Sequence, residues 1–338
     1  MRCYVGMDLH SRNTYLGIID ERGNRVYRSK AANFIEVILQ HLELFRRSIV
    51  GIVVESTFNW YWLVDGLMEA GYRVHLAHPS ANKQYEGLKY TDDWYDTYHL
   101  ANLLRLGILA EGHIYPKEER AIRDLLRKRL MLVRQRTAHI LSFQTLYSCH
   151  TGGWLRGDDI KKLTEDDIDE FFGGGYILLS AKANISTIGF LGRKIKEIER
   201  VVLRTMKLTP EFQKLTTVSG IGNILGLTIS LETGDIGRFP KVGNYVSYCR
   251  CVKSERRSNE KKKGENNRKN GNKYLSWAFV EAANYAKRFC PYARKFYQRK
   301  VAKTNKIVAI KALSHKLARA SYYVMRDRVD YEPRKAFG

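Results

Sequence analysis

The sequence predicts a chain of two architectures, α/β in its first third and helical beyond it. Three observations predict this. Short Val/Ile-rich runs alternate with helical patterns as far as residue 116. Residues 117–206 contain no proline, and their apolar residues recur at helical spacing. Residues 207–338 carry further helical patterns over 274–289 and 306–326.

The elements follow in order. Runs 4–8, 14–20 and 25–29 read as an antiparallel meander, with Glu21-Arg22-Gly23-Asn24 as a turn. Asn33 can cap a helix whose apolar positions are Phe34, Ile35, Val37, Ile38, Leu42 and Phe45. The continuous apolar run 49–54 has the pattern of a buried central strand. A helix over 58–70 is stopped by Gly71, a strand over 73–77 is closed by His78-Pro79, and a helix over 93–106 ends at Gly107. Pro116 sits where a helix can start. Ile122, Leu125, Leu126, Leu130 and Val133, and later Ile195, Ile198, Val202 and Met206, mark two long helices. The Gly-rich excursions Gly152-Gly153 and Gly173-Gly174-Gly175 between them suggest an extended hairpin. It either stays within one chain or brings subunits together. Val218-Ser219-Gly220-Ile221-Gly222 resembles a helix-hairpin-helix turn, whose backbone N–H groups approach a phosphate; the glycine pair serves helix packing equally well. The expected units are 1–116, 117–206 and 207–338.

Charge is unevenly spread along the 338 residues. Lys and Arg number 58 against 35 Asp and Glu, a formal net charge of +23. Beyond residue 240 lie 26 basic and 7 acidic residues, a net +19, which leaves +4 for everything before. A near-balanced body with a strongly basic last third is the footprint of a chain that meets a polyanion. At 44% hydrophobic residues the chain can bury real cores, which excludes wholesale disorder. The apolar runs are strand-length, so no membrane span is expected. An acid at position 8 comes too early for a signal peptide. Five unpatterned cysteines suggest a reducing, cytoplasmic setting, and Cys249-x-Cys251 lacks the second pair a zinc site needs. Residues 253–273 hold nine basic and three acidic residues with five asparagines. That stretch cannot form a core and reads as a loop ordered on binding, or a nucleic-acid contact segment.

Four acids stand out by position. Asp8 closes the first strand, and Glu55 follows the buried run. Asp93 and Asp96 open a helix at i,i+3 spacing, on one face. Were the first and fourth strands neighbours, their ends would meet, and a helix beside them would complete a four-carboxylate cluster. Such a cluster needs Mg²⁺ or Mn²⁺ to offset its repulsion. Two such ions can clamp the attacking and leaving oxygens of a phosphodiester. Asp92 competes with Asp93. The stripe Leu100, Ala101, Leu103 and Leu104 sets the helix phase, and Asp93 shares the Asp96 face while Asp92 points about a third of a turn away.

These residues carry a family resemblance. Val5-Gly6-Met7-Asp8, Val54-Glu55-Ser56-Thr57, Asp93-x-x-Asp96 with Leu100-Ala101-x-Leu103-Leu104-Arg105, Val218-Ser219-Gly220-Ile221-Gly222, Phe239-Pro240, Tyr248-Cys249-Arg250-Cys251-Val252, Ser258-Asn259 and 269–275 span nearly the whole chain. Jointly they resemble the DEDD transposases of bacterial insertion sequences, the bridge-RNA-guided recombinases of the one-ten group, and within it the eleven-eleven branch. The resemblance implies a RuvC-like domain of the ribonuclease H fold, a helical arm, and a mostly helical transposase domain. One departure is Tyr90-Thr91-Asp92-Asp93, one residue longer than the family's usual Lys-Thr-Asp. Another is Ser258-Asn259 where a Ser-Gly pair is common, as suits the eleven-eleven branch.

The resemblance further implies a nucleophilic serine in the last domain, and position points to Ser258, with Ser254 next. Attack on a phosphodiester would form a phosphoserine link that stores the bond energy for rejoining. Arg256, Arg257, Lys261, Lys262 and Lys263 would neutralise the phosphate, and Arg268, Lys269 and Lys273 extend the nucleic-acid surface. The expected partners are donor and target DNA, an element-encoded guide RNA and further copies of the chain. The alternative is a RuvC-like metal-dependent nuclease acting on branched DNA, with Ser258 structural.

Overall fold

The computed structural model describes residues 1–82, 92–205, 209–265 and 270–337. Tyr90, Thr91, Met206, Arg268 and Lys269, used above, lie outside these residues. The chain divides into two compact units, Met1–Lys117 and Glu118–Gly338.

The first unit is built on a five-stranded mixed sheet. Strands β1 (Cys3–Leu9), β2 (Asn13–Asp20) and β3 (Arg25–Ala32) form the meander. Helix α1 (Ile35–Glu43), strand β4 (Ile49–Glu55), helix α2 (Tyr61–Glu69) and strand β5 (Val74–Ala77) follow, then a short helical turn α3 (Pro79–Asn82) and helix α4 (Asp93–Arg105). The order across the sheet is β3-β2-β1-β4-β5, with β4 parallel to β1 and to β5. The first and fourth strands are thus neighbours at the centre.

Pleating separates the two faces of the sheet. Cys3, Val5, Met7 and Leu9 of β1 join Ile52 and Val54 of β4 in one core, packed against Ile38 and Leu42 of α1 and Leu63, Val64 and Leu67 of α2. Helix α4 covers the opposite face, where Tyr98 and Ala101 meet Tyr4 and Ile19, and Leu100 meets Val53 and Ala77. Both faces are therefore covered, as a sheet with a parallel centre requires. Asn33 does not cap α1. The N-cap is Phe34, which makes no side-chain cap bond, while the Asn33 amide bridges the Thr14 hydroxyl and the His10 carbonyl.

The second unit is mostly helical. Two long helices, α5 (Lys117–Thr151) and α8 (Gly175–Thr205), flank the short helices α6 (Gly157–Ile160) and α7 (Glu165–Asp169). Ile140, Phe143, Ile160, Ile168, Phe172, Ala181, Ile185 and Ile188 form one core across all four. The pairs His139–Asn184 and Arg129–Glu199 run antiparallel, so the hairpin closes within one chain. Helices α9 (Pro210–Thr216), α10 (Asn223–Thr233) and α11 (Val242–Tyr248) follow. A hairpin of β6 (Arg256–Ser258) and β7 (Lys261–Gly264) comes next, then α12 (Lys273–Phe289), α13 (Pro291–Lys303), α14 (Lys306–Asp327) and α15 (Pro333–Phe337). Their core gathers Leu215, Tyr245, Leu275, Phe279, Leu313, Leu317 and Tyr322. Gly220 adopts φ 88°, and a Cβ there would sit 2.2 Å from the Ala282 carbonyl oxygen. Close packing on α12 thus accounts for Gly220, while Gly222 is the open N-cap of α10.

Two further features depart from the sequence expectation. Residues 256–264 form a hairpin rather than a loop. Its turn residues Asn259 and Glu260 have φ of 49° and 59°, the left-handed pair that tight hairpin turns demand. Helix α13 was not foreseen, although Pro291 at its first turn is an ordinary start signal.

Candidate metal centre and nucleic-acid interface

The site in the first unit is fixed by where β1 and β4 end. Met7 pairs with Val54, so Asp8 and Glu55 stand one residue further along two adjacent parallel strands. Pleat parity puts both on the face covered by α4. Their carboxyls are close enough for each to shift the other's titration.

Two glycines bring α4 close. Gly6 and Gly17 face each other across β1 and β2. A Cβ on Gly6 would lie 1.8 Å from the Thr97 carbonyl oxygen, and one on Gly17 would lie 2.6 Å from the Thr97 hydroxyl oxygen. The bare backbone is what admits Thr97, and Thr97 sets the depth at which Asp93 and Asp96 stand over the strand ends. Asp92 has a different task. It is the N-cap of α4, and its carboxylate accepts from the Tyr95 N–H at 2.7 Å. The carboxylate of Asp93 instead turns to the cluster.

His10, which the sequence argument did not single out, belongs to this site. Its Nε2 lies 3.0 Å from Asp8 Oδ2 and 3.4 Å from Asp93 Oδ1. Asp8, His10 and Asp93 each offer a ligand atom, all within 4.8 Å of one another. Spacing was the available signal: a residue two beyond Asp8 returns to the same side of an extended chain.

Burial and mutual repulsion act on Asp8, Glu55 and Asp96. Burial, then the neighbouring charge of Asp8, pushes Glu55 up to about 7. Burial raises Asp8 as well, with Asp93 adding and His10 opposing. Asp96 is raised by burial and then by Asp8 and Asp93. Acids raised by burial and by one another are acids that a divalent cation would relieve, since one ion offsets both desolvation and mutual repulsion. The donor set of carboxylates and one imidazole fits such an ion.

The second unit holds the candidate serine and the basic residues. Ser258 ends β6, is exposed and pairs with Lys261. Arg256, Arg257, Lys261, Lys262 and Lys263 are exposed on the same ribbon, with Arg257 directly opposite Lys262. Glu255 pairs with Arg257. Ser254 is half-buried. Lys273 opens α12 with its ammonium 5.2 Å from the Tyr274 ring centre. Arg268 and Lys269 lie outside the described residues. A buried carboxylate, Glu232, ties this region to α5. It accepts both Arg127 Nε, at 2.5 Å, and Arg127 Nη2, at 2.7 Å, and also the amide of Asn272, which in turn caps α12.

Among the described residues, no helix is long and apolar enough to cross a membrane. No curated protein matches the chain. Two family models do. Residues 5–147 match a transposase model of the DEDD type, and residues 212–298 match the model described as transposase, IS116/IS110/IS902 family. The first match includes all four acids and His10 and agrees with divalent-metal use there; the second includes the β6–β7 hairpin. With both units matched in chain order, the chain belongs to the IS110 family of transposases, insertion-sequence enzymes that cut and rejoin DNA.

Proposed function

We propose that the chain is a guided recombinase that works through a metal centre in one unit and a serine in the other. The observation that carries this reading is the convergence of Asp8, Glu55, Asp93 and His10 at the ends of two central parallel strands, inside a transposase match. The sheet order, a three-stranded antiparallel meander extended by two parallel strands, supports a RuvC-like ribonuclease H fold for residues 1–116. Residues 117–206 serve as the helical arm and 207–338 as the transposase domain, with 218–222 its helix-hairpin-helix-like element.

The residues divide the work. Asp8, Glu55, Asp93 and Asp96 hold Mg²⁺ or Mn²⁺; when bound, the metal offsets charge developing on the phosphodiester oxygens. Ser258 attacks phosphorus. Its Oγ–P bond forms as the P–O bond to one DNA strand end breaks, and the departing oxygen takes the proton. A hydroxyl of the recipient strand then attacks the phosphoserine, the new P–O bond replaces Oγ–P, and serine regains its proton. Arg256, Arg257, Lys261, Lys262 and Lys263 steady the phosphate, and Arg268, Lys269 and Lys273 continue the surface along the backbone. Such a surface reads shape and charge rather than base edges. Sequence choice is then left to pairing with an element-encoded guide RNA, within an oligomer of the chain.

The test is covalent. With cleaved DNA, the wild-type chain is expected to form a protein–DNA adduct that Ser258→Ala abolishes and Ser254→Ala retains. Full strand exchange by Ser258→Ala would remove the serine step and leave the alternative, a metal-dependent nuclease acting on branched DNA. RNA sequencing of material co-purified with the chain tests the guide.

A further inference from the structure

We propose that His10 is a ligand of the metal centre, and that its nitrogen biases the site toward first-row transition cations over Mg²⁺. The proposal rests on the acid cluster being a metal centre, and deepens it by naming the residue that sets metal choice.

Distance supports coordination. Adjacent ligand atoms around an octahedral ion with bonds of about 2.1 Å stand about 3 Å apart. His10 Nε2 lies 3.0 Å from Asp8 Oδ2 and 3.4 Å from Asp93 Oδ1. One small cation can therefore touch all three with little movement.

The histidine is also held, as a ligand must be and an incidental surface histidine need not be. Its backbone N–H donates to the Asn13 carbonyl at 3.0 Å. Its carbonyl accepts from two side-chain amides, Asn33 Nδ2 at 2.9 Å and Asn59 Nδ2 at 3.1 Å. Each amide is fixed in turn, Asn33 by the buried Thr14 hydroxyl at 2.8 Å and Asn59 by the Thr57 hydroxyl at 3.0 Å. The imidazole packs edge-on against Tyr15, with ring centres 5.5 Å apart, and Tyr15 packs against Trp94 at 4.9 Å. Trp94 follows Asp93 in the chain, so a run of ring contacts links His10 to the helix that carries Asp93. Fixing ligands through their neighbours is how proteins tune metal sites.

The donor set then decides selectivity. Mg²⁺ prefers oxygen and keeps its waters, whereas imidazole favours later first-row ions, Co²⁺ above Mn²⁺. Asp8 and Asp93 alone would not distinguish these ions strongly; adding His10 does.

The experiment titrates the full chain calorimetrically with Mg²⁺, Mn²⁺ and Co²⁺, without nucleic acid, as wild type, His10→Ala, His10→Gln and Asp8→Asn. Circular dichroism checks the fold. The His10 variants are expected to lose about tenfold or more of Co²⁺ affinity, less for Mn²⁺, and no more than about twofold for Mg²⁺. Asp8→Asn should lose all three. Wild-type chain loaded with Mn²⁺ should show histidine nitrogen modulation by pulsed electron paramagnetic resonance, a readout that needs no variant. Absence of that modulation overturns the proposal. So do His10 variants that bind all three ions as wild type does while Asp8→Asn fails, which leaves the metal centre standing. His10 variants that bind every ion more tightly would mark His10 as a counter-charge displaced by the ion, and also overturn it. If Asp8→Asn binds as wild type does, the metal centre itself falls.

Discussion

Asp8 and Glu55 leave their strands inside a sheet packed on both faces, whereas Arg257 and Lys262 face each other across a two-stranded ribbon open to solvent. The acids are pressed together at a cost, visible in Glu55, which burial and Asp8 push up to about 7. The basic residues are also unfavourably paired, since like charges opposite one another weaken a ribbon. The two regions meet repulsion in opposite ways. The first packs a scaffold behind its acids, so that a cation, in the reading proposed above, would meet them already gathered. The second leaves the charge in water, where a phosphate backbone would neutralise it. The difference teaches that a small multivalent ion needs preformed geometry, while a long polyanion needs only density of charge.

The comparison can be broken at its strongest point first. Asp8→Asn is expected to lower DNA cleavage roughly 100-fold or more while the chain stays folded, read by gel assay beside circular dichroism. Gly6→Val should disturb the scaffold itself. A Cβ would meet the Thr97 carbonyl oxygen, so α4 must move outward, destabilising the unit by about 1–3 kcal/mol in thermal melts and weakening divalent-metal binding. Retained metal affinity in Gly6→Val would show that Asp93 and Asp96 do not depend on that contact. On the other side, replacing Lys261, Lys262 and Lys263 with glutamine should lower the slope of log affinity against log salt by about three. Melting temperature and metal affinity should stay unchanged, and a shift in metal affinity would end the division of labour.

A smaller effect concerns pH. Glu55 rises from an ordinary 4.5 to about 7 in the folded chain. The folded state therefore binds the proton more tightly than the unfolded state. That stability is fully present below pH 4.5 and is lost as pH rises through about 7. Metal-free melts should fall over this window, and Glu55→Gln should flatten the fall. The smallest effect is local. Glu260 holds φ 59° in the hairpin turn, and Glu260→Gly should relieve up to about 1 kcal/mol, read by hydrogen exchange of the β6–β7 amides.

Several elements are legible in the sequence. The apolar run 49–54 marked a central strand, Gly71 and Gly107 marked helix ends, and the i,i+3 spacing of Asp93 and Asp96 marked one helix face. Asn33 misled, because a cap and a bridge between Thr14 and His10 use the same short amide. The hairpin at 256–264 was hidden because its lysines and arginines favour no strand, and pairing alone holds it extended. His10 was hidden because nothing in a lone histidine says that Asp93, eighty-three residues later, will come within reach.

The sequence by itself determined the periodicities, the order of the acids and the concentration of positive charge beyond residue 240. These are local or additive properties, readable one window at a time. Only the tertiary structure decided that Asp92 caps a helix while Asp93 turns toward His10, and that His10 in turn stands beside Asp8. Those outcomes depend on how deeply α4 settles on Gly6 and Gly17, a distance fixed by packing between segments far apart in the chain.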